Sequence, residues 1–259
     1  MAEVTGISWT DSTFNPWIGC TKVGPGCDHC YAEALDKRHR WQGDTHWGAG
    51  KPRMRTSVSN WKKPLAWNRA REKDGKTHRV FCASLADVFD NEVPNAWRDD
   101  LWDLIIETPR LTWLLLTKRI GNAKDMLPWP VHCDTAPNVW IGATIVNQAE
   151  ADRDLPKLLA TPAAVRFVSY EPALGPVDWT RFEGIDWIII GGESSNAARR
   201  FDWNWARSTI EQCRVIGAAP FMKQTGTDMA LLYERMQKNR NGADPAEWPE
   251  DLRVQEFPT

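Results

Sequence analysis

The chain has 259 residues, 42% hydrophobic and 25% charged, the balance of a globular protein large enough to bury a core without disulfide staples. Apolar stretches such as Leu111 to Leu116 are far too short for a membrane-spanning helix, and the opening MAEVTGISWTD has neither the basic nor the apolar part of a secretory signal, so no membrane association and a cytoplasmic location are expected. The net charge of −2 conceals a split: residues 37–79 carry 13 Lys or Arg against Asp44, Glu72 and Asp74, about +10, which leaves about −12 for the rest and points to an anionic partner.

The first feature along the chain is NPWIGC-TKVGPG-CDHC, a C-x6-C-x2-C arrangement of Cys20, Cys27 and Cys30 in a Gly/Pro-rich loop. Three thiols within eleven positions are odd in number, and disulfides are disfavoured in a reducing compartment. Metal binding explains them better. Gly19, Gly24 and Gly26 permit the backbone angles needed for a loop that wraps an inorganic centre, and Pro25 stiffens it. Two centres remain in contention. Structural zinc wants four ligands, and His29, His39 or His46 could supply the last, although none belongs to a second paired knuckle. A [4Fe–4S] cluster normally takes four Cys, so three would leave one iron open to an exogenous ligand.

A helix is predicted from Tyr31 to Arg40, followed by the basic stretch with mixed loop and helix character. Sixteen Trp against three Tyr occur in the chain, most of them expected in the core. Trp41, Trp47, Trp61 and Trp67 instead fall in the basic stretch, among Lys37, Arg38, Arg40, Arg53, Arg55, Lys62, Lys63, Arg69 and Arg71. Cations neutralise phosphates and Trp can stack on bases, so this segment is the expected nucleic-acid surface. A solvated face with inward-packed Trp is the alternative.

From Val80 onward the pattern alternates. Strands are predicted at 79–84, 112–117, 138–143, 165–169, 187–190 and 221–223, and amphipathic helices at 95–107 and 148–160. A further helix is expected from an N-cap at Asp202 to a stop at Gly217. Short apolar strands alternating with helices argue for a parallel sheet with crossover helices, an α/β fold. Polar residues follow these strands: Ser84 and Asp87, Thr117 to Arg119, Thr144 and Asn147, Tyr170 and Glu171, Gly192 to Ser194, Lys223 and Gln224. Glu193 could bind ribose hydroxyls or an amine, or form an ion pair with Arg199 or Arg200. The two glycines before it would allow close approach of a ligand to the backbone. Cys82 and Cys213 read as small buried hydrophobes.

The cysteine loop resembles a variant of the radical S-adenosylmethionine signature, usually C-x3-C-x-Φ-C with an aromatic Φ. Cys27-Asp28-His29-Cys30 matches its second half, with His29 at Φ, while the first gap has six residues instead of three. The stretches ISWTDSTFNPWIGCTKVGPGCDHCYAE, VFCASLADVFDNEVP, LLLTKR, NVWIGATIVNQAEADRD, VRFVSYEPALGPVD, WIIIGGES, FMKQTG and GADPAEWPEDLRVQEFP are similar to an uncharacterised phage-associated family, distantly similar to spore photoproduct lyase. The resemblance implies one domain over residues 1–259, a partial (β/α) barrel of the radical S-adenosylmethionine type, with residues 37–79 as a basic, Trp-containing insertion. It implies Cys20, Cys27 and Cys30 as cluster ligands and S-adenosylmethionine as cofactor. His29, Ser84, Lys118 and Glu193 are the candidate cofactor contacts, Lys118 for the carboxylate. Arg38, Arg40, Arg53, Arg55, Lys62 and Lys63 are the candidate nucleic-acid contacts. An external electron donor and a three-Cys-motif partner protein are implied partners. Cys82, Cys133, Tyr170 and Cys213 are the candidates for quenching a substrate radical. The contrasting expectation is a non-enzymatic nucleic-acid-binding protein whose cysteines hold structural zinc.

Overall fold

The computed structural model describes residues 5–129, 136–232 and 239–259; Cys133 lies outside them. The first part of the chain holds β1 (Ser12–Thr13), β2 (Trp17–Ile18), α1 (Tyr31–His39), β3 (Met54–Arg55), α2 (Val58–Trp61), α3 (Lys63–Asp74) and β4 (His78–Cys82). Regular alternation follows: α4 (Asn95–Glu107), β5 (Leu111–Thr117), α5 (Ile120–Met126), β6 (Val139–Thr144), α6 (Gln148–Leu159) and β7 (Val165–Tyr170). The chain then runs through β8 (Trp187–Gly191), α7 (Trp203–Ile216), β9 (Ala219–Gln224) and α8 (Thr227–Leu232).

Seven strands share one sheet in the order β1-β4-β5-β6-β7-β8-β9, and β2 pairs with β3 in a separate antiparallel ribbon. Pairing is parallel for β1 with β4, β4 with β5, β7 with β8 and β8 with β9. Parallel neighbours in chain order, joined by crossover helices except between β7 and β8, give the α/β topology of a partial (β/α) barrel, as expected from the alternation. All five residues of β8 are buried, which explains its continuous apolar run in place of a period of two. Among the described residues, no helix is long and apolar enough to cross a membrane.

Local chemistry sets the helix ends. Asn147 accepts a hydrogen bond from the Glu150 amide to start α6, and Asp202 accepts one from Asn204 to start α7. Gly217, at φ 77°, takes the left-handed stop that ends α7.

Two compact units, interleaved along the chain, divide the protein: Met1–Val23 with Ala32–Ile141 and Thr161–Ala164, and Gly24–Tyr31 with Gly142–Ala160 and Val165–Thr259. In the first, Phe14 meets Trp61 and Trp113 edge-on at 5.6 and 5.7 Å, and Trp102 packs against Trp129. In the second, Trp187 contacts Phe167, Phe221 and Phe257, and the tail covers β9 where the Met222 amide donates to Val254 O. The residues of 37–79 all belong to the first unit. Trp67 is buried there beside His78, and Trp61 packs inward on Phe14, so these two of the four Trp in the basic stretch serve the core.

Candidate functional site

In the first unit, the residues beside Cys20 come from the ends of β4 and β5. The Gly19 amide donates to Leu85 O at 3.0 Å, setting the start of the cysteine loop alongside the segment after β4. Gly19 has φ 114°, and a Cβ there would lie 2.4 Å from His46 O, so only glycine fits. The Cys20 sulfur accepts a hydrogen bond from Arg119 Nη1 at 3.2 Å, and Arg119 Nη2 donates to Thr21 O at 2.5 Å. Asp87 holds that guanidinium at 3.3 Å and is itself fixed by the Thr117 hydroxyl at 2.7 Å and the Lys118 amide at 3.0 Å.

Burial pushes the Cys20 thiol up to about 12, Asp87 adds to the rise, and Arg119 opposes it. Burial outweighs the guanidinium, so Cys20 keeps its proton at neutral pH. For Arg119, burial alone would lower the guanidinium, yet the Asp87 carboxylate beside it, with Asp90, outweighs burial and holds the charge on. Lys118 is half-buried, directly before Arg119 in the chain. Ser84 shares hydrogen bonds with Asn15, whose Oδ1 also accepts from the Leu85 amide.

In the second unit, Cys27 is buried and Cys30 half-buried. A short 3-10 turn, Pro25–Cys27, carries Cys27, closed by its amide on Gly24 O at 2.9 Å. Arg199 ties this turn to the loop after β8. Its guanidinium binds both Glu193 oxygens, at 2.6 and 3.0 Å, Asp28 at 3.0 Å and Pro25 O at 2.9 Å. Glu193 also receives the Arg199 amide and faces His29 Nδ1 at 3.0 Å. Burial raises the Glu193 carboxyl, but the hydrogen bonds from Arg199 and His29 together outweigh it and the net shift is downward. Of the two roles open to Glu193 from sequence, the Arg199 ion pair is formed. The glycine before it serves the protein's own backbone: a Cβ on Gly192 would lie 2.2 Å from Thr225 O. Close by in sequence, Lys223 binds both Glu171 oxygens at 2.5 and 2.7 Å.

The candidate nucleic-acid residues divide sharply. Arg38, Arg40 and Lys62 are exposed and Lys63 is half-buried. Arg55 lies 4.4 Å over the Trp61 ring and pairs with Asp100 at 2.6 Å. Arg53 does not face solvent. Its side chain is 0% exposed and spends its donors on Asp90 at 2.8 Å and on the carbonyls of His46, Gly48 and Lys51. A buried guanidinium so occupied organises the loop and has no donor left for a phosphate. Sequence could not separate Arg53 from Arg55. Arg119 was visible only as a residue following a strand and Arg199 only as an ion-pair candidate for Glu193, and neither was marked as a partner of the cysteine loop.

The donor set is suited to a thiophilic metal: Cys20, Cys27 and Cys30 are all free of disulfides. Among the described residues, no group of three or more His, Cys, Asp or Glu is gathered at metal-holding distance. The histidines weighed for zinc have other neighbours. His29 faces Glu193, His39 stacks on Trp41, and the buried His46 meets Asp36 through Nδ1 at 3.0 Å. Cys82 and Cys213 are buried, and burial raises both thiols, as befits packing residues.

A family profile described as "Protein of unknown function (DUF5131)" matches residues 4–249. No curated protein matches the chain. Among solved structures, a spore photoproduct lyase mutant with bound AdoMet and dinucleoside spore photoproduct is similar, at 12% identity and a TM-score of 0.45. The match covers 90% of this chain and 63% of that one, so the chain spans less than two thirds of that protein.

Proposed function

The chain belongs to the DUF5131 family, described as protein of unknown function, and from its own residues we propose an iron–sulfur enzyme of the radical S-adenosylmethionine kind, acting on a nucleic-acid base or nucleotide. The observation that carries this reading is the donor set: three cysteines within eleven positions of the sequence, all free of disulfides, with a buried guanidinium hydrogen-bonded to the first sulfur. Cys20, Cys27 and Cys30 would hold a [4Fe–4S] cluster and leave one iron for S-adenosylmethionine. When bound, that pair supplies a 5′-deoxyadenosyl radical, on receipt of an electron from an external donor.

The chain's own groups do the positioning. Arg119 donates to the Cys20 sulfur, which favours its anionic form once a metal is present and fixes its orientation. Lys118, directly after β5, is the cation proposed for the cofactor's carboxylate, and Ser84, hydrogen-bonded to Asn15, is the hydroxyl proposed for its amino-acid part or ribose. Glu193 fixes the ring of His29, the residue at the adenine-facing place of the motif. Arg38, Arg40, Arg55, Lys62 and Lys63 supply positive charge for phosphates. A three-Cys-motif partner protein belongs to the same proposal.

The test is turnover under strict exclusion of oxygen. Reconstituted protein given dithionite and S-adenosylmethionine is expected to form 5′-deoxyadenosine, and Cys27→Ala to form none. Absence of 5′-deoxyadenosine from wild-type protein that holds its iron and sulfide, with and without the partner protein, would overturn the enzymatic reading.

A further inference from the structure

The first unit contains a cleft of about 480 Å³, a volume suited to a small ligand, lined by Trp41, Gln42, Arg55, Asn60 and Lys63 over a floor that includes Ile18. We propose that this cleft is a nucleotide subsite, with one base stacked on Trp41 and its phosphate met by Lys63. The proposal rests on the nucleic-acid part of the reading above and is independent of its metal part.

Three observations carry it. Trp41 is half-buried and already lies on the His39 ring, with centroids 5.2 Å apart and planes 20° apart, so the aromatic platform is ordered before any ligand arrives. The backbone holds it there at a cost. Arg40, at φ 44° and ψ 56°, and Gln42, at φ 56° and ψ 22°, both occupy the left-handed region without being glycine. Two such residues flanking one aromatic side chain mark a segment shaped for contact, since strained backbone collects at ligand clamps.

The third observation is charge. The cleft opens within residues 37–79, the stretch of about +10. Two cations line it: Lys63, and Arg55, which also pairs with Asp100 and lies over the Trp61 ring. The remaining polar groups are small. Asn60 Nδ2 is fixed on Asn15 O and the Thr56 hydroxyl, and the Ser57 and Ser59 hydroxyls meet at 2.9 Å. A mostly apolar slot with one aromatic face and two cations on its lining fits a base carrying a phosphate, whether as a free nucleotide or as a unit of a single strand.

The experiment uses metal-free full-length protein, so the cluster plays no part in the outcome. Binding of a fluorescein-labelled dT10 strand is followed by anisotropy across a salt series, with dTMP as competitor. Trp41→Ala is expected to weaken binding about tenfold or more while Trp41→Phe keeps most of it. Lys63→Gln is expected to reduce the slope of log K against log salt by about one, and the exposed Lys124→Gln on α5 to leave affinity unchanged. Full displacement by dTMP identifies a nucleotide pocket; displacement only by unlabelled strand identifies a strand subsite, and either supports the assignment. Wild-type affinity in both Trp41→Ala and Lys63→Gln would place the strand elsewhere and overturn the subsite while sparing the nucleic-acid reading. No binding of dT10 or dTMP by wild-type protein at low salt would overturn both.

Discussion

The two stretches of the cysteine loop are anchored by different means. At Cys20 the anchor is a buried ionic network that reaches the sulfur itself: Arg119 donates to Cys20, Asp87 holds Arg119, and nearby Arg53 pairs with Asp90 at full burial. Around Cys27 and Cys30 the anchor is Arg199, whose side chain is 29% exposed and grips a backbone carbonyl, Asp28 and Glu193. The first arrangement sets the surroundings of a thiol, whereas the second sets the path of a turn. Buried charge is expensive to orphan and half-exposed charge is screened, so the two anchors should fail differently.

The largest effect is expected from Arg53→Met. It takes from Asp90, 2% exposed, its nearest cation, leaving Arg119 at 3.9 Å, and removes donors from the carbonyls of residues 46, 48 and 51. A loss of about 3–5 kcal/mol in unfolding free energy by urea titration is predicted. A loss below about 1 kcal/mol would show that the network at the Cys20 end adds little.

A smaller effect is expected from Arg199→Gln, which leaves Glu193, 6% exposed, short of its cationic partner. The predicted cost is about 1–3 kcal/mol. Hydrogen exchange sharpens the contrast: the amides of Cys27 and Asp28, which close the Pro25–Cys27 turn, should lose protection, while the Gly19 amide should keep its own. Equal loss at both places would erase the distinction between the anchors.

The smallest effect is a pH dependence. The Glu193 carboxyl is lowered in the folded chain, so its contribution is present above the unfolded value, about 4.3, and is lost as pH falls through the folded value. Urea titrations between about pH 5 and 3 should give a shallower decline for Glu193→Gln than for wild type. Identical acid limbs would remove Glu193 from the account.

Much of this architecture was legible in the chain. Continuous apolar runs marked β5 to β8, and the Asp202 cap and Gly217 stop bounded α7 to the residue. The two-residue strands β1, β2 and β3 were not read, because two residues carry no period. At the site, cysteine spacing was visible but its partners were not. Arg119 lies 99 positions from Cys20 and Arg199 lies 174 from Pro25, and no local rule joins them. Arg53 and Arg55 flank Met54, yet one is enclosed and the other half-exposed; charge counting along a chain cannot tell the buried use of an arginine from the solvent-facing one. Gly192 showed the same limit: the need for a bare backbone was readable, but not that the approaching group is Thr225.

The most direct test of the central claim is metal and sulfide content after oxygen-free purification and reconstitution, for wild type and for Cys20→Ala, Cys27→Ala and Cys30→Ala. The account predicts about four iron and four sulfide per wild-type chain and a large loss of both in each variant. One tightly held zinc without iron or sulfide, or iron and sulfide retained in all three variants, would contradict it.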